Sequence, residues 1–207
     1  MSIIPLFSIP ATIINIGREF TETELQLFLS DITMFKEKEM TNHRSKDLYL
    51  FDSFNKELED IKSFCEQQFN TYLEEIEGAD TDLATLRITE SWLNKTKPGE
   101  HHHSHFHANS YLSGILYISC LPNDHINFSN RLHGLGNNME FPRKKSTVWN
   151  VNTLQQNVTE GDLIIFPSWI IHYVDWNETK NMDRISLAFN SFPTGTMGKC
   201  YGSRLML

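Results

Sequence analysis

Five of the nine histidines in this chain lie within seven residues, in the run HHHSHFH at positions 101–107. Imidazole is the commonest protein ligand of divalent transition metals. Side chains at positions i and i+2 of an extended segment point to the same face, and His105 and His107 have this spacing. The pair could therefore bind one metal ion. The alternative is a polar, solvated turn that precedes the next strand.

A metal site also needs a ligand from elsewhere in the fold, and His172 is the best candidate. It follows the apolar run DLIIFP and belongs to the next strand-like segment, IHYVDW. If these segments meet near the histidine run, His172 completes a three-histidine site. The alternative is a structural histidine whose ring nitrogens are bonded within the protein.

The segment DRISLAFN carries a candidate site for an anion. Strand alternation places Arg184 and Ser186 on one face and Ile185 and Leu187 on the other. A guanidinium group offers two parallel donors that match a carboxylate, and a hydroxyl group can add a further hydrogen bond. The alternative is a surface ion pair between Arg184 and Asp183.

Short strand-like runs fill the chain after Gly78. They are rich in β-branched and aromatic residues and are separated by Gly, Pro, Asn and Asp turns. The candidates are LATLRITESWLN, YLSGILYIS, HINFS, STVWNV, DLIIFP, IHYVDW and DRISLAFNSF. Without intervening helices, they predict a mainly β fold, an antiparallel sandwich or jelly roll.

The first third of the chain predicts one strand and two helices. The opening MSIIPLFSIPATIINIG reads as a strand, because it lacks a basic start and is too short and broken by prolines for a signal peptide or membrane span. Thr21 and Glu24 have capping-box spacing and predict a helix that ends before Lys36. A second helix is predicted over residues 54–76, followed by Gly78 as its stop. Its apolar stripe is Phe54, Leu58, Ile61, Cys65, Phe69, Leu73 and Ile76. Both helices are expected to pack outside one sheet.

Length and composition indicate a single domain over residues 1–207, with helices mainly in 20–78 and a β core over 83–192. The formal net charge of −8 argues against a nucleic-acid partner. The three cysteines, Cys65, Cys120 and Cys200, are few and far apart, which is typical of reduced thiols in a cytoplasmic protein. The sequence does not predict an oligomeric state.

Residues 129–147 predict a long loop that is rich in Gly and Asn and ends in Arg143, Lys144 and Lys145. It is either a lid or substrate-binding element or a solvated connection. The basic cluster favours an anionic small molecule or acidic peptide near the entrance. Trp149, Trp169 and Phe166 are expected either to wall the site or to belong to the sandwich core.

Three segments together resemble a known family: HxH followed by NSYLSGILYIS, then GDLIIFPSWIIHYVDW, then DRISLAFNSF. They are similar to the Fe(II)/2-oxoglutarate-dependent dioxygenases, particularly the 2OG-Fe(II) oxygenase family found in marine bacteria and their phages. LFSIPATI and SWLN also fit that family's pattern, so the resemblance covers nearly the whole chain.

The resemblance implies a double-stranded β-helix with Fe(II) at its open end and 2-oxoglutarate as co-substrate. It places His105 and His172 at the positions of the two family histidines. Arg184, assisted by Ser186, would bind the distal carboxylate of 2-oxoglutarate.

Tyr117 and Asn94 are further candidates for the co-substrate site by the same resemblance. Their alternatives are a core tyrosine and a strand-end cap. The residue two after the first family histidine is usually Asp or Glu, and here it is His107. His107 would give a neutral three-histidine set in place of two histidines and a carboxylate. Two other arrangements stay open, a pair formed by His103 and His105 and a two-histidine site completed by water.

The implied reaction is hydroxylation of a C–H bond of a small molecule or peptide by dioxygen, with release of succinate and CO2. His101, His102 and His103 would line the approach to the metal. One competing hypothesis is a cupin-like three-histidine metalloenzyme that does not use 2-oxoglutarate, which predicts no role for Arg184. Another is a non-catalytic jelly-roll binding or structural protein.

Overall fold

The computed structural model describes residues 3, 8–129, 142–198 and 205–207, which form two β-sheets with helices outside the larger one. The helices are α1 (Glu22–Gln26), α2 (Leu50–Ser53) and α3 (Glu59–Glu75), and α1 continues into a π-helical turn, Leu27–Asp31. The strands are β1 (Thr12–Asn15), β2 (Met34–Phe35), β3 (His43–Ser45), β4 (Ala84–Thr96), β5 (His102–His105), β6 (Leu112–Ser119), β7 (His125–Ser129), β8 (Thr153–Asn157), β9 (Asp162–Pro167), β10 (Ile171–Val174), β11 (Arg184–Met197) and β12 (Leu205–Met206).

The larger sheet has the strand order β1-β9-β6-β11-β4-β3-β2, and β12 pairs with the end of β11. The smaller sheet has the order β5-β10-β7-β8. All pairings between these described strands are antiparallel. The predicted mainly β, jelly-roll fold is confirmed.

Alternate side chains of β11 face opposite sides of the larger sheet. Ile185, Leu187 and Phe189 face the helices and belong to the larger apolar cluster. Arg184 and Ser186 point between the sheets and line a cleft there. This alternation follows from the two-residue repeat of a strand. A second apolar cluster fills the rest of the space between the sheets and consists of Tyr117, Ile126, Val158, Ile164, Phe166 and Ile170.

The helical predictions hold in part. Thr21 Oγ accepts from the backbone N–H of Glu24, and the Glu24 carboxylate accepts from that of Thr21, which confirms the capping box. The second helix is shorter than predicted, since α3 covers Glu59–Glu75 and the segment from Phe54 to Leu58 forms turns after α2. Gly78 has a φ of +63°, a conformation that suits glycine after a helix.

One predicted strand is wrong. The segment STVWNV forms turns and bends, and the strand in this region is β8, which begins at Thr153 and pairs with β7 at the sheet edge. Val148 and Trp149 are 67% and 56% exposed, so this apolar segment has no buried face. The short strands β2, β3, β5 and β12 were not predicted, because two to four residues carry too little alternation to be recognised.

Several other expectations concern the cysteines, the long loop and membrane insertion. Cys65 and Cys120 are free thiols. Cys200 and residues 130–141 of the predicted loop lie outside the described residues. Within the described part of the chain, no helix is long and apolar enough to cross a membrane.

Candidate metal centre

Three histidines, two on neighbouring strands and one just after the first of these strands, meet between the sheets. His105 ends β5 and lies directly opposite His172 on β10 in the antiparallel register. His107 follows two residues after β5, where its backbone N–H donates to the carbonyl of Ser168 at 2.9 Å. Potential ligand atoms of the three histidines lie within 4.8 Å of one another.

Backbone carbonyls orient two of these rings. Nδ1 of His105 lies 2.7 Å from the carbonyl oxygen of His103, and Nδ1 of His172 lies 3.1 Å from that of Ile170. Because a carbonyl oxygen can only accept, each Nδ1 carries the proton and each Nε2 keeps a free lone pair. A fixed tautomer of this kind is usual for histidines that bind metals.

Burial keeps the three imidazoles uncharged near neutral pH. Burial, followed by the neighbouring His105, lowers the pKa of His107 to about 4. Burial is also the main cause that lowers the pKa of His105 and of His172. Neutral imidazoles bind a metal without first losing a proton.

The other histidines of the run occupy different places. His103 is exposed, and its Nδ1 lies 3.4 Å from Thr41 Oγ1, so it is not part of the three-histidine cluster. His102 stacks on His105 with 4.4 Å between ring centroids and lines the cleft. His101 stacks on Trp176 at 4.1 Å. The structure thus brings His105 together with His107, whereas His103 lies outside the cluster.

Arg184 lies in the same cleft but is already held by an acid. Its Nε donates to Asp124 at 2.7 and 2.9 Å, and its NH2 donates to Asp124 Oδ1. Both residues are buried, so the expected alternative of a surface pair with Asp183 is wrong. The remaining NH1 is buried without a hydrogen-bond partner among the described residues.

The other candidate co-substrate residues flank Arg184 on adjacent strands. Ser186 is the register partner of Asn94 on β4 and also of Tyr117 on β6. The Tyr117 hydroxyl is buried and has no hydrogen-bond partner in the described part of the protein. Burial, with Asp124 second, raises the pKa of Tyr117, so the hydroxyl stays protonated as a donor. These groups, Arg184 and the three histidines line one cavity, termed the inner cleft below.

The residues of the inner cleft fit both an iron ion and 2-oxoglutarate. Imidazole nitrogens bound to one ion at about 2.1 Å lie about 3 to 4 Å apart, so the cluster needs only small ring rotations. Unpartnered buried donors cost about 1–3 kcal/mol each unless a ligand accepts from them. Arg184 NH1 and the Tyr117 hydroxyl are two such donors in one cavity with the histidines.

Of the three aromatic residues expected in the walls or the core, only Phe166 belongs to the core, and none of the three lines the inner cleft. Phe166 is buried, with its ring centroid 4.7 Å from that of His172. Trp149 and Trp169 are 56% and 54% exposed and belong neither to the core nor to the lining of the inner cleft. The ring beside His107 is instead that of Trp92, at 5.5 Å.

Two important residues were not predicted, Asp124 and Trp92. Asp124 lies in the turn LPNDH, where its carboxylate also accepts from the backbone N–H groups of Leu121 and His125. In sequence it looks like an ordinary turn aspartate, since it is 60 residues from Arg184. Trp92 sits in the predicted strand SWLN, but alternation alone could not place it beside the histidines.

A family model described as "Putative 2OG-Fe(II) oxygenase" matches residues 90–190. The matched segment runs from β4 into β11 and contains all three clustered histidines, Arg184, Ser186, Tyr117 and Asn94. A search of curated protein sequences finds no match.

Three solved structures illustrate the similarity of fold. An oxidoreductase of the 2OG-Fe(II) oxygenase family from Burkholderia pseudomallei is 10% identical, with a TM-score of 0.55 over 87% of this chain and 84% of that one. HygX from Streptomyces hygroscopicus, with nickel and 2-oxoglutarate bound, is 12% identical, with a TM-score of 0.55 over 88% and 82%. A prolyl-4-hydroxylase from Pseudomonas putida is 12% identical, with a TM-score of 0.51 over 88% and 93%. At such identities the likeness concerns the fold, while the family model reports on the sequence itself. The sequence of residues 90–190 thus matches that of the 2OG-Fe(II) oxygenases, the non-haem iron oxidoreductases that use 2-oxoglutarate.

Proposed function

We propose that His105, His107 and His172 bind Fe(II), and that the protein hydroxylates a C–H bond of a small-molecule or peptide substrate. The observation that carries this proposal is one cavity lined by three neutral imidazoles and by two residues whose donors, Arg184 NH1 and the Tyr117 hydroxyl, have no partner among the described residues. The comparison with the 2OG-Fe(II) oxygenase family supports it.

In the proposed site, Arg184 and Tyr117 donate to the distal carboxylate of 2-oxoglutarate. Asp124 holds Arg184 through Nε and NH2, which leaves NH1 for the co-substrate. Ser186 and Asn94, on the two adjacent strands, supply further hydrogen-bonding groups beside it. This arrangement would fix one end of the co-substrate and direct its keto acid end towards the histidines.

The charges of the site support this assignment. Three neutral histidines add no charge, and the Arg184–Asp124 pair sums to zero. A divalent cation and the dianion 2-oxoglutarate also sum to zero, so their complex would leave no net charge in the buried cleft. When bound, the iron and co-substrate supply the oxidation, in which 2-oxoglutarate yields succinate and CO2 and one oxygen atom of dioxygen enters the substrate.

The competing cupin-like hypothesis uses the same three histidines but gives Arg184 no ligand. It leaves the free NH1 of Arg184 and the Tyr117 hydroxyl unexplained.

We further propose that residues 1–207 form one domain and that the protein acts in the cytoplasm. The free thiols Cys65 and Cys120 support the cytoplasmic location.

The test is an anaerobic titration with Fe(II) and 2-oxoglutarate, followed by admission of oxygen and measurement of succinate. Arg184→Lys keeps a positive charge beside Asp124 but removes the guanidinium fork, so we expect the Kd of 2-oxoglutarate to rise at least tenfold. Arg18→Lys is the matched control. Arg18 pairs with the buried Glu24, and both residues are far in sequence from those that line the inner cleft. Wild-type affinity in Arg184→Lys, or no succinate from the wild type, would contradict the proposal.

A further inference from the structure

A second cavity adjoins the three histidines on the side of β3 and β4. It is termed the outer groove here, and its residues beyond the histidines include Glu37, Asn42, Arg44, Glu90 and Trp92. Trp92, His105 and His107 line both the outer groove and the inner cleft, so the two cavities adjoin at the histidines. A molecule in the groove would therefore lie beside the histidines.

Two residues that line the outer groove each carry a buried donor with no acceptor within the described residues. Asn42 is 2% exposed, and its Nδ2 is buried and unpartnered. Nε of Arg44 is likewise buried and unpartnered. Because each unsatisfied buried donor costs about 1–3 kcal/mol, two in one cavity indicate a ligand that brings acceptor oxygens.

Arg44 also lacks a partner for its charge in the described part of the chain. It forms none of the ion pairs found there. Its guanidinium carbon lies 5.6 Å from the ring centroid of Phe35, which packs against it without neutralising it. In the β3–β4 register Arg44 is opposite Asn94, which also lines the inner cleft. Arg44 therefore lies on β3, the strand next to β4, which lines the inner cleft.

Two glutamates of the outer groove limit the charge of the ligand that Arg44 can bind. Glu37 and Glu90 line the same cavity, and Glu90 is joined only weakly to Asn190, at 3.4 Å. Two carboxylates beside a single free guanidinium disfavour a ligand with several negative charges, such as a phosphate ester. They favour a ligand that carries one carboxylate together with a protonated amine.

We propose that the outer groove binds the substrate to be oxidised, and that this substrate is a free amino acid whose carboxylate accepts from Arg44 and Asn42. Its ammonium group pairs with a carboxylate of the groove, Glu37 or Glu90. The assignment rests on the proposed function, because it takes the three histidines as the metal site beside which the substrate is oxidised.

The test is direct binding of free amino acids to the metal-free protein, measured by saturation-transfer NMR. The probes are the twenty common L-amino acids and, for each that binds, its amide. We expect at least one amino acid to bind and its amide to bind at least tenfold more weakly, because the amide lacks the charge that Arg44 recognises.

Variants locate the site. Arg44→Met should weaken binding of the amino acid at least tenfold, and Arg44→Lys, which keeps the charge without the fork, should weaken it less. Arg87→Met is the matched control, since Arg87 is an exposed arginine of β4 that does not line the groove. Circular dichroism checks that each variant is folded.

The inference is overturned if no amino acid binds, if acids and amides bind equally, or if Arg44→Met binds like the wild type. Its failure is distinct from failure of the proposed function. Binding of 2-oxoglutarate to the iron-loaded protein, followed by anaerobic visible absorption, tests the inner cleft alone and should be the same in Arg44→Met and the wild type.

Discussion

The inner cleft and the outer groove each contain an arginine, but the two are held in opposite ways. Arg184 is 5% exposed and is fixed by the buried carboxylate of Asp124, with one nitrogen left free. Arg44 is only partly buried, and no acid is paired with it among the described residues. A fixed arginine loses little side-chain entropy when its ligand binds, whereas a free one is ordered only by the ligand itself.

The largest effect on stability is expected at Asp124, the acid that holds Arg184 in the inner cleft. Asp124→Leu leaves the charge of Arg184 buried without a partner, so we expect a loss of about 3–5 kcal/mol in the free energy of unfolding. Urea denaturation measures it. The double variant Asp124→Leu with Arg184→Leu should recover much of this stability, because no buried charge remains. A single variant as stable as the wild type would show that the pair is not buried in solution.

A smaller effect is expected at Tyr117, and it should appear in binding rather than in stability. Tyr117→Phe removes a donor that has no partner among the described residues, so stability should stay the same while the Kd of 2-oxoglutarate rises about 10- to 100-fold. Tyr72→Phe is the control with the reverse pattern. The Tyr72 hydroxyl donates to the carbonyl of Pro10, and its loss should cost about 1 kcal/mol of stability without changing the Kd.

Ser186 should contribute less than Tyr117, because a neutral hydroxyl adds one secondary hydrogen bond to the carboxylate. We expect Ser186→Ala to raise the Kd of 2-oxoglutarate about three- to tenfold. Ser119→Ala is the control in the same sheet, since the Ser119 hydroxyl donates to the backbone of Asp183. If both serine variants bind 2-oxoglutarate equally well, Ser186 does not contact the co-substrate.

The smallest effect on stability is expected at Arg44, the arginine of the outer groove. Arg44→Met removes a charge that has no ion-pair partner in the described part of the chain, so we expect the free energy of unfolding to change by less than about 0.5 kcal/mol. Urea denaturation of Arg44→Met and Asp124→Leu under the same conditions compares the two losses of stability directly. A loss comparable to that of Asp124→Leu would mean that Arg44 has a structural partner and is not free for a ligand.

The sequence predicted the parts of this molecule that depend on local spacing. The pairing of His105 with His107, and of Arg184 with Ser186, follows from alternation along single strands, and both pairs line the inner cleft as expected. The β fold followed from short alternating runs after Gly78. His172 needed the additional assumption that its strand lies beside the histidine run, which the register with His105 confirms.

Contacts between distant segments were not predictable. Asp124 has the sequence context of a turn residue, and only the fold brings it to Arg184. Trp149 and Trp169 were expected in the core or in the walls because of their size, but both lie in turns where their rings stay exposed. The strand-like STVWNV failed for a related reason, since a β-rich composition does not by itself supply a neighbouring strand for pairing.

The central claim is that Fe(II) is bound by His105, His107 and His172, with His107 in place of a carboxylate. Anaerobic Fe(II) titration of the wild type, His107→Ala and His103→Ala tests it most directly. His107→Ala should weaken Fe(II) binding at least tenfold, while His103→Ala, which removes an exposed ring outside the cluster, should bind like the wild type. Unchanged affinity in His107→Ala, or a comparable loss in His103→Ala, would contradict the three-histidine site.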